Sequence, residues 1–195
     1  RVSGAEGNNK VMLYLLGINS DGNLDTTIPT PLYQNIEAYL DNYRMINDFI
    51  EIKPGRILNL SFDVDLYIDK NYNKTDVASE VIKVIKDYMD INVHDMGDDI
   101  FVGDIEKEIG KVDGVINVVN IRVYNEFKNE YSSTKTNQEF VSTELCYDGE
   151  VKNVSPTGGR QIDLEISDNM LIAEGDSMFE IKYPQKDIRL RIKER

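Results

Sequence analysis

From Leu58 to Ile68 every second residue is apolar: Leu58, Leu60, Phe62, Val64, Leu66 and Ile68, with Asn59, Ser61, Asp63 and Asp65 set between them. Successive side chains of a strand point to opposite faces, so this period of two specifies one long strand with a buried face and a wet face. A lone strand cannot bury a face, and the segments on either side must supply the cover.

The segments downstream are built to do so. Lys74 to Tyr88 reads as a helix, capped by Asn73, with Asp76 in its first turn and Val77, Val81, Val84, Ile85 and Tyr88 facing inward. A shorter helix is expected over Asp104 to Gly110, where Ile105, Ile109 and Val112 share a face. Asp113-Gly114 then turns the chain into Val115 to Tyr124, where Val119, Ile121 and Val123 alternate with Asn120, Arg122 and Tyr124 as in a strand. Upstream, Val11 to Ile18 reads as a strand closed by the turn Asn19-Ser20-Asp21-Gly22. Thr30 and Pro31 open a helix with Leu32, Ile36, Leu40 and Tyr43 on one face. The order β, α, β, α, α, β predicts an α+β fold: a two-layer sandwich of a small mixed sheet with helices on one face.

After Asn125 the pattern changes. Ser, Thr, Asn, Lys and Glu dominate as far as Glu139 and no helical period survives. This predicts an extended β-rich arm over residues 126–195, following a core domain of residues 11–125 and a linker or loop at residues 1–10. Within the arm, Phe140 to Val151 reads as a hairpin across Asp148-Gly149, Ser155 to Gly159 as a loop, and Met178 to Tyr183 and Ile188 to Ile192 as strands flanking Pro184. The chain opens at Arg1 in a Gly- and Asn-rich stretch, and the expectation is a piece cut from a longer protein.

Composition narrows the function classes. A net charge of −13 argues against a nucleic-acid partner, because phosphate neutralisation needs clustered Lys and Arg. No apolar run approaches the roughly 18 residues of a spanning helix, so no membrane partner is expected. Cys146 is the single cysteine, which excludes an intrachain disulfide and suits a protein made in a reducing cytoplasm.

Candidate chemistry is sparse. Asp69 to Glu80 places oxygen-bearing side chains at positions 1, 3, 5, 7 and 12 of an EF-hand-like loop, but Lys74 stands where the turn calls for Gly and a strand precedes it where a helix is needed. A polar turn with Asn73 as the next helix's cap is the simpler reading, and no metal ligands are assigned. Asp63 and Asp65 fall on the wet face of the long strand, which no apolar pocket shields. His94 is the single histidine, and with the lone Cys146 it makes no metal site. Pro156-Thr157-Gly158-Gly159-Arg160 has the glycines of a phosphate loop without the Lys and Ser or Thr that must follow. No catalytic residue and no cofactor is expected. Of the eleven tyrosines, Tyr67, Tyr72, Tyr124 and Tyr131 are candidates for an interface, where this residue type is favoured.

Several stretches in order carry a family resemblance: Asn42-Tyr43-Arg44-Met45-Ile46-Asn47-Asp48, Ile50-Glu51-Ile52-Lys53, the long alternating strand, Asn71-Tyr72-Asn73, Gly114-Val115, and Phe179-Glu180-Ile181-Lys182-Tyr183-Pro184 with Asp187-Ile188. Together they cover most of residues 36 to 192, and they resemble the C-terminal region of the wedge subunits in baseplates of T-even-like contractile phages, within the baseplate J family. The resemblance implies a structural protein, not an enzyme, located in the tail baseplate of a virion and assembled in the host cytoplasm. It implies a homodimer that joins other baseplate wedge proteins in a sixfold ring around the tail tube and rearranges on contraction. The expected interface lies in the arm, with Tyr131, Ile188, Leu190 and Ile192 as candidates and the strand Ile188 to Ile192 pairing with a neighbouring chain's sheet. The alternative reading is a surface binding or adhesion module stabilised by calcium.

Overall fold

The computed structural model describes residues 2–4, 10–43, 49–142 and 152–195. Its elements are β1 (Val2–Gly4), β2 (Lys10–Leu15), β3 (Gly17–Ile18), β4 (Leu24–Asp25), α1 (Thr30–Asp41), β5 (Phe49–Pro54), β6 (Arg56–Ile68), α2 (Lys74–Tyr88), β7 (Ile100–Phe101), α3 (Val102–Ile109), β8 (Val115–Glu126), β9 (Arg160–Gln161), β10 (Met170–Leu171), β11 (Ser177–Glu180), α4 (Pro184–Asp187) and β12 (Ile188–Glu194). The fold is α+β, with small mixed sheets.

The alternating run is β6, and the main sheet is organised around it. On one side β8 runs antiparallel along almost its whole length, from Asn59 opposite Glu126 to Ile68 opposite Val115. The other side is filled by two segments in series: β11 lies parallel to Arg56–Asn59, and β12 lies parallel to Phe62–Ile68. The apolar face of β6 meets α2 through Val77, Val81 and Ile85 and α3 through Val102, Ile105 and Ile109. Phe62, Leu60, Val64 and Ile68 have no exposed surface there. Asn73 caps α2 by accepting from the Thr75 backbone N–H at 3.0 Å. Gly114 makes the turn into β8 at φ +91°, and the Tyr72 ring lies so close that a Cβ there would strike it.

The polar face of β6 departs from expectation. Instead of facing water, Asn59, Ser61 and Asp63 are buried. The chain leaving β8 folds back over them, and Arg189 of β12 reaches across from the side.

The C-terminal segment needs a larger correction, because it does not stand away from the body as an arm. Phe179, Ile181, Ile188, Ile162 and Leu171 are buried in the same apolar cluster as Phe62 and Ile85, and Leu190 and Ile192 pack against it. The physical reason is that β6 has two edges and β8 satisfies only one, so β11 and β12 supply the backbone partners of the other. Pro184, which cannot donate to a ladder, opens the short helical turn between them.

At the other end, Val2–Gly4, expected as loop, is a strand antiparallel to β2, and β2 is parallel to β5. Helix α1 begins at Thr30 after an N-cap at Pro29, one residue earlier than the capping pattern suggests. The hairpin expected across Asp148-Gly149, Cys146 and the Arg44–Asp48 part of the resemblance lie outside the described residues.

Candidate functional site

Two features stand out from the core: a buried polar clasp on one face of β6, and an N-terminal layer with little cover.

The clasp begins with register. Pairing sets Arg189 opposite Asp63 and Arg191 opposite Asp65 from β12, while β8 sets Arg122 opposite Asp63. The side chains close accordingly. Asp63 is ion-paired to Arg189 and, at 3.1 Å, to Arg191, and Arg122 reaches Asp65 at 3.0 Å. Further along the same face Ser61 donates to Glu126 at 2.6 Å and accepts from Arg189 at 3.0 Å. Asn59 donates to Glu180 at 2.7 Å and accepts the Ser132 backbone N–H at 2.8 Å. Asn125 accepts the Thr136 N–H at 3.1 Å. Ser61–Glu126 and Arg122–Asp65 join β6 to β8, and each of the other bonds ties one of these two strands to the returning segment or to the C-terminal strands.

Two buried carboxyl groups finish the clasp. Asp187 accepts from the Tyr131 hydroxyl at 2.5 Å and from the Tyr183 N–H at 2.9 Å. Burial pushes its pKa above the ordinary carboxylate value, and the two hydrogen bonds only partly oppose that. Burial likewise raises Glu180, against the bonds from the Leu24 N–H at 2.5 Å and from Asn59. The Tyr131 hydroxyl is raised by burial and by its bond to Asp187, so it stays a neutral donor. A third carboxyl, Glu126, has no exposed surface, and the backbone of Gly159 lies against it so closely that any Cβ there would collide.

Tyr131 and Ile188 are therefore buried, and Leu190 and Ile192 face the chain's own core. The strand expected to reach a neighbouring sheet pairs instead with β6 of its own chain. Tyr124 is buried as well, while Tyr72 remains exposed over Gly114. The clasp carried a sequence signal that single-segment patterning passes over: Asp63 and Asp65 are spaced by two, as are Arg189 and Arg191. Such sets can pair across adjacent strands.

Asp69 and Asn73 are engaged locally, Asp69 accepting from Asn71 and Asn73 capping α2. Among the described residues no group of three or more His, Cys, Asp or Glu side chains is placed to hold a metal ion. His94 contacts the Tyr88 carbonyl through Nε2 at 2.7 Å and lies beside the Tyr88 ring.

The N-terminal layer is different in kind. Helix α1 has the apolar stripe read from the sequence but buries none of its residues. Leu32 is 50% exposed, Tyr39 62% and Tyr43 72%, and Phe49 at the start of β5 is 67% exposed. All six residues of β2 are only half-buried. The layer is fastened to the main body through Leu24, which packs with Ile57 and Met178 and donates its N–H to Glu180. No known family model matches the chain, and no curated protein is significantly similar to it in sequence.

Proposed function

We propose that this chain is an assembly subunit of a contractile phage tail baseplate, one that dimerises, joins other wedge proteins in a sixfold ring around the tail tube, and rearranges on contraction. The observation that carries the assembly part is the N-terminal layer. A helix with an apolar stripe gains stability by burying it, at about 25 cal/mol per Å² of apolar surface removed from water. Among the described residues helix α1 leaves much of that gain unrealised, since Leu32, Tyr39 and Tyr43 remain exposed and Ile36 and Leu40 are only half-buried. Exposed apolar patches of this kind mark protein contacts. The baseplate part rests on the ordered stretches from Asn42 to Ile188 that resemble the wedge subunits.

The clasp suits such a role. A subunit under mechanical load benefits from a sheet closed by ion pairs and buried hydrogen bonds, and here the last strand is locked to the central one. The test is the solution mass by light scattering, with and without calcium. A dimer indifferent to calcium is expected, and a Leu32→Glu, Ile36→Glu double variant should become monomeric while its circular dichroism and main thermal transition stay unchanged. A wild-type chain that remains monomeric at tens of micromolar, or a dimer unmoved by the double variant, overturns the assignment of α1 as the contact.

A further inference from the structure

The two open edges of the main sheet are not alike. The outer edge of β12 carries Arg189, Arg191, Lys193 and Glu194 among its seven residues, and charges on an edge strand discourage pairing with other chains. The outer edge of β8 is the reverse. From Val115 to Ile121 it reads Val-Ile-Asn-Val-Val-Asn-Ile, with no charged residue. Strand β9 covers it only at Tyr124 and Asn125, and the Ile162 N–H reaches the Val123 carbonyl at 2.8 Å. Beyond that point no described strand pairs with this edge.

Its two irregularities sharpen the contrast. The register between β6 and β8 skips one β8 residue between Asn120 and Val118 and another between Asn117 and Val115. The skipped residues are Val119 and Ile116, and they are 52% and 50% exposed. A bulge re-aims a side chain, and one that served only to blunt an edge would gain from a charged residue at that position. Here both bulges turn aliphatic side chains outward.

Beside this edge runs a groove along Val118 to Arg122, walled by the segment from Gln161 to Asn169 and by α3. Its charged lining is acidic: Glu106, Asp163, Glu165 and Asp168. Among the described residues that line it Arg122 is the one cation, and Asp65 already holds it at 3.0 Å.

From this we infer that the outer edge of β8 receives an extended, cationic segment of a partner protein, which adds a strand to the main sheet in the row that β9 begins. Backbone groups of Asn117 to Ile121 would supply the ladder, and Ile116 and Val119 would take aliphatic side chains of the incoming segment. The four carboxylates would select Lys or Arg at its alternate positions. A second copy of this chain is the poorer occupant, since edge-to-edge pairing of two β8 strands would bring two acidic grooves together, each on a chain of net charge −13. The inference rests on the assembly reading and deepens it by naming the chemistry of one partner, through a surface separate from α1.

The probe is an eight-residue peptide of alternating Lys and Val with blocked ends, compared with its Glu-for-Lys counterpart by fluorescence anisotropy and amide hydrogen exchange on the full chain. The Lys peptide should bind at least roughly tenfold tighter than the Glu peptide, weaken as salt rises, and protect amides within Val115–Ile121. Val119→Lys, at an exposed bulge where the fold tolerates it, should weaken binding by roughly tenfold or more without changing the chain's mass in solution. Equal binding of the two peptides, no binding of either, or protection confined to other residues overturns the proposal. So does a Val119→Lys chain that falls from dimer to monomer, which would assign the edge to a second copy. Failure of the α1 double variant to alter the mass would break the dimer reading alone and leave the peptide result untouched.

Discussion

Helices α1 and α2 carry apolar residues at the same four-residue step, Leu32, Ile36 and Leu40 in one and Val77, Val81 and Ile85 in the other. The second set is fully buried against β6, whereas in the first Leu32 is exposed and Ile36 and Leu40 are only half-buried. Periodicity therefore specifies that a helix forms and which face is apolar, while the cover for that face is a property of what lies opposite. For α2 the opposite surface is the apolar side of a 13-residue strand. For α1 it is a sheet whose own strands remain half-exposed. The main sheet is self-sufficient and the N-terminal layer is not, and this asymmetry is what the assembly proposal uses.

Core truncation in the two regions should expose the difference most strongly. Phe62→Ala removes a ring with no exposed surface from the centre of the main cluster and should cost about 3–5 kcal/mol in urea unfolding. Leu32→Ala, at a half-exposed position on a helix with no fully buried residue, should stay within about 0.5 kcal/mol when measured at concentrations low enough to keep the chain monomeric. A comparable cost for the two would mean that α1 is covered within its own chain, and the comparison would fail.

The clasp predicts an intermediate effect. Tyr131→Phe keeps the ring and deletes the hydroxyl that donates to Asp187 at 2.5 Å. The carboxylate keeps the Tyr183 N–H but loses its other donor in a buried setting, so the loss should be about 1.5–3 kcal/mol. A change below about 0.5 kcal/mol would show that this bond contributes little to holding the C-terminal strands.

Much of the fold was legible from single segments. The alternation of β6, the Asn73 cap of α2 and the Asp113-Gly114 turn into β8 are local signals, and the structure follows each of them. What escaped was long-range. Asn59, Ser61 and Asp63 look like a solvent-facing set because their partners, Ser132, Glu180 and Arg189, lie more than 70 residues away. The C-terminal strands look unsupported for the same reason, since the vacancy they fill is the second edge of a strand placed long before them. Helix α1 misleads in the opposite sense: its stripe was legible, but no sequence pattern says that the sheet opposite covers it only in part. The bulges at Ile116 and Val119 arise because β8 uses more residues than β6 over the same span, which only the pairing reveals.

Acidity separates the clasp from the surface with the smallest effect and the clearest sign. Asp187 has a folded pKa above its unfolded value because burial disfavours its charge. As pH falls from the raised value toward the ordinary carboxylate value, the folded state takes up a proton that the unfolded state has not yet bound, so this group adds stability on acidification and loses it as pH rises. Glu180 acts in the same direction. Exposed carboxylates act in the opposite one: Glu51 is held low by Lys10 and Glu130 by Lys186, and their contributions disappear as acid protonates them. Subtraction isolates Asp187. Asp187→Asn can still accept the Tyr183 N–H through Oδ1 and can donate to the Tyr131 oxygen through its amide, so it preserves both contacts while removing the charge. The melting temperature of the variant minus that of the wild type should therefore rise as pH increases from the ordinary carboxylate value through the raised one, with the surface carboxylates cancelling in the difference. A difference that stays constant across that range would mean that Asp187 titrates alike in the folded and unfolded chains, and that the clasp holds it no differently from a carboxylate in water.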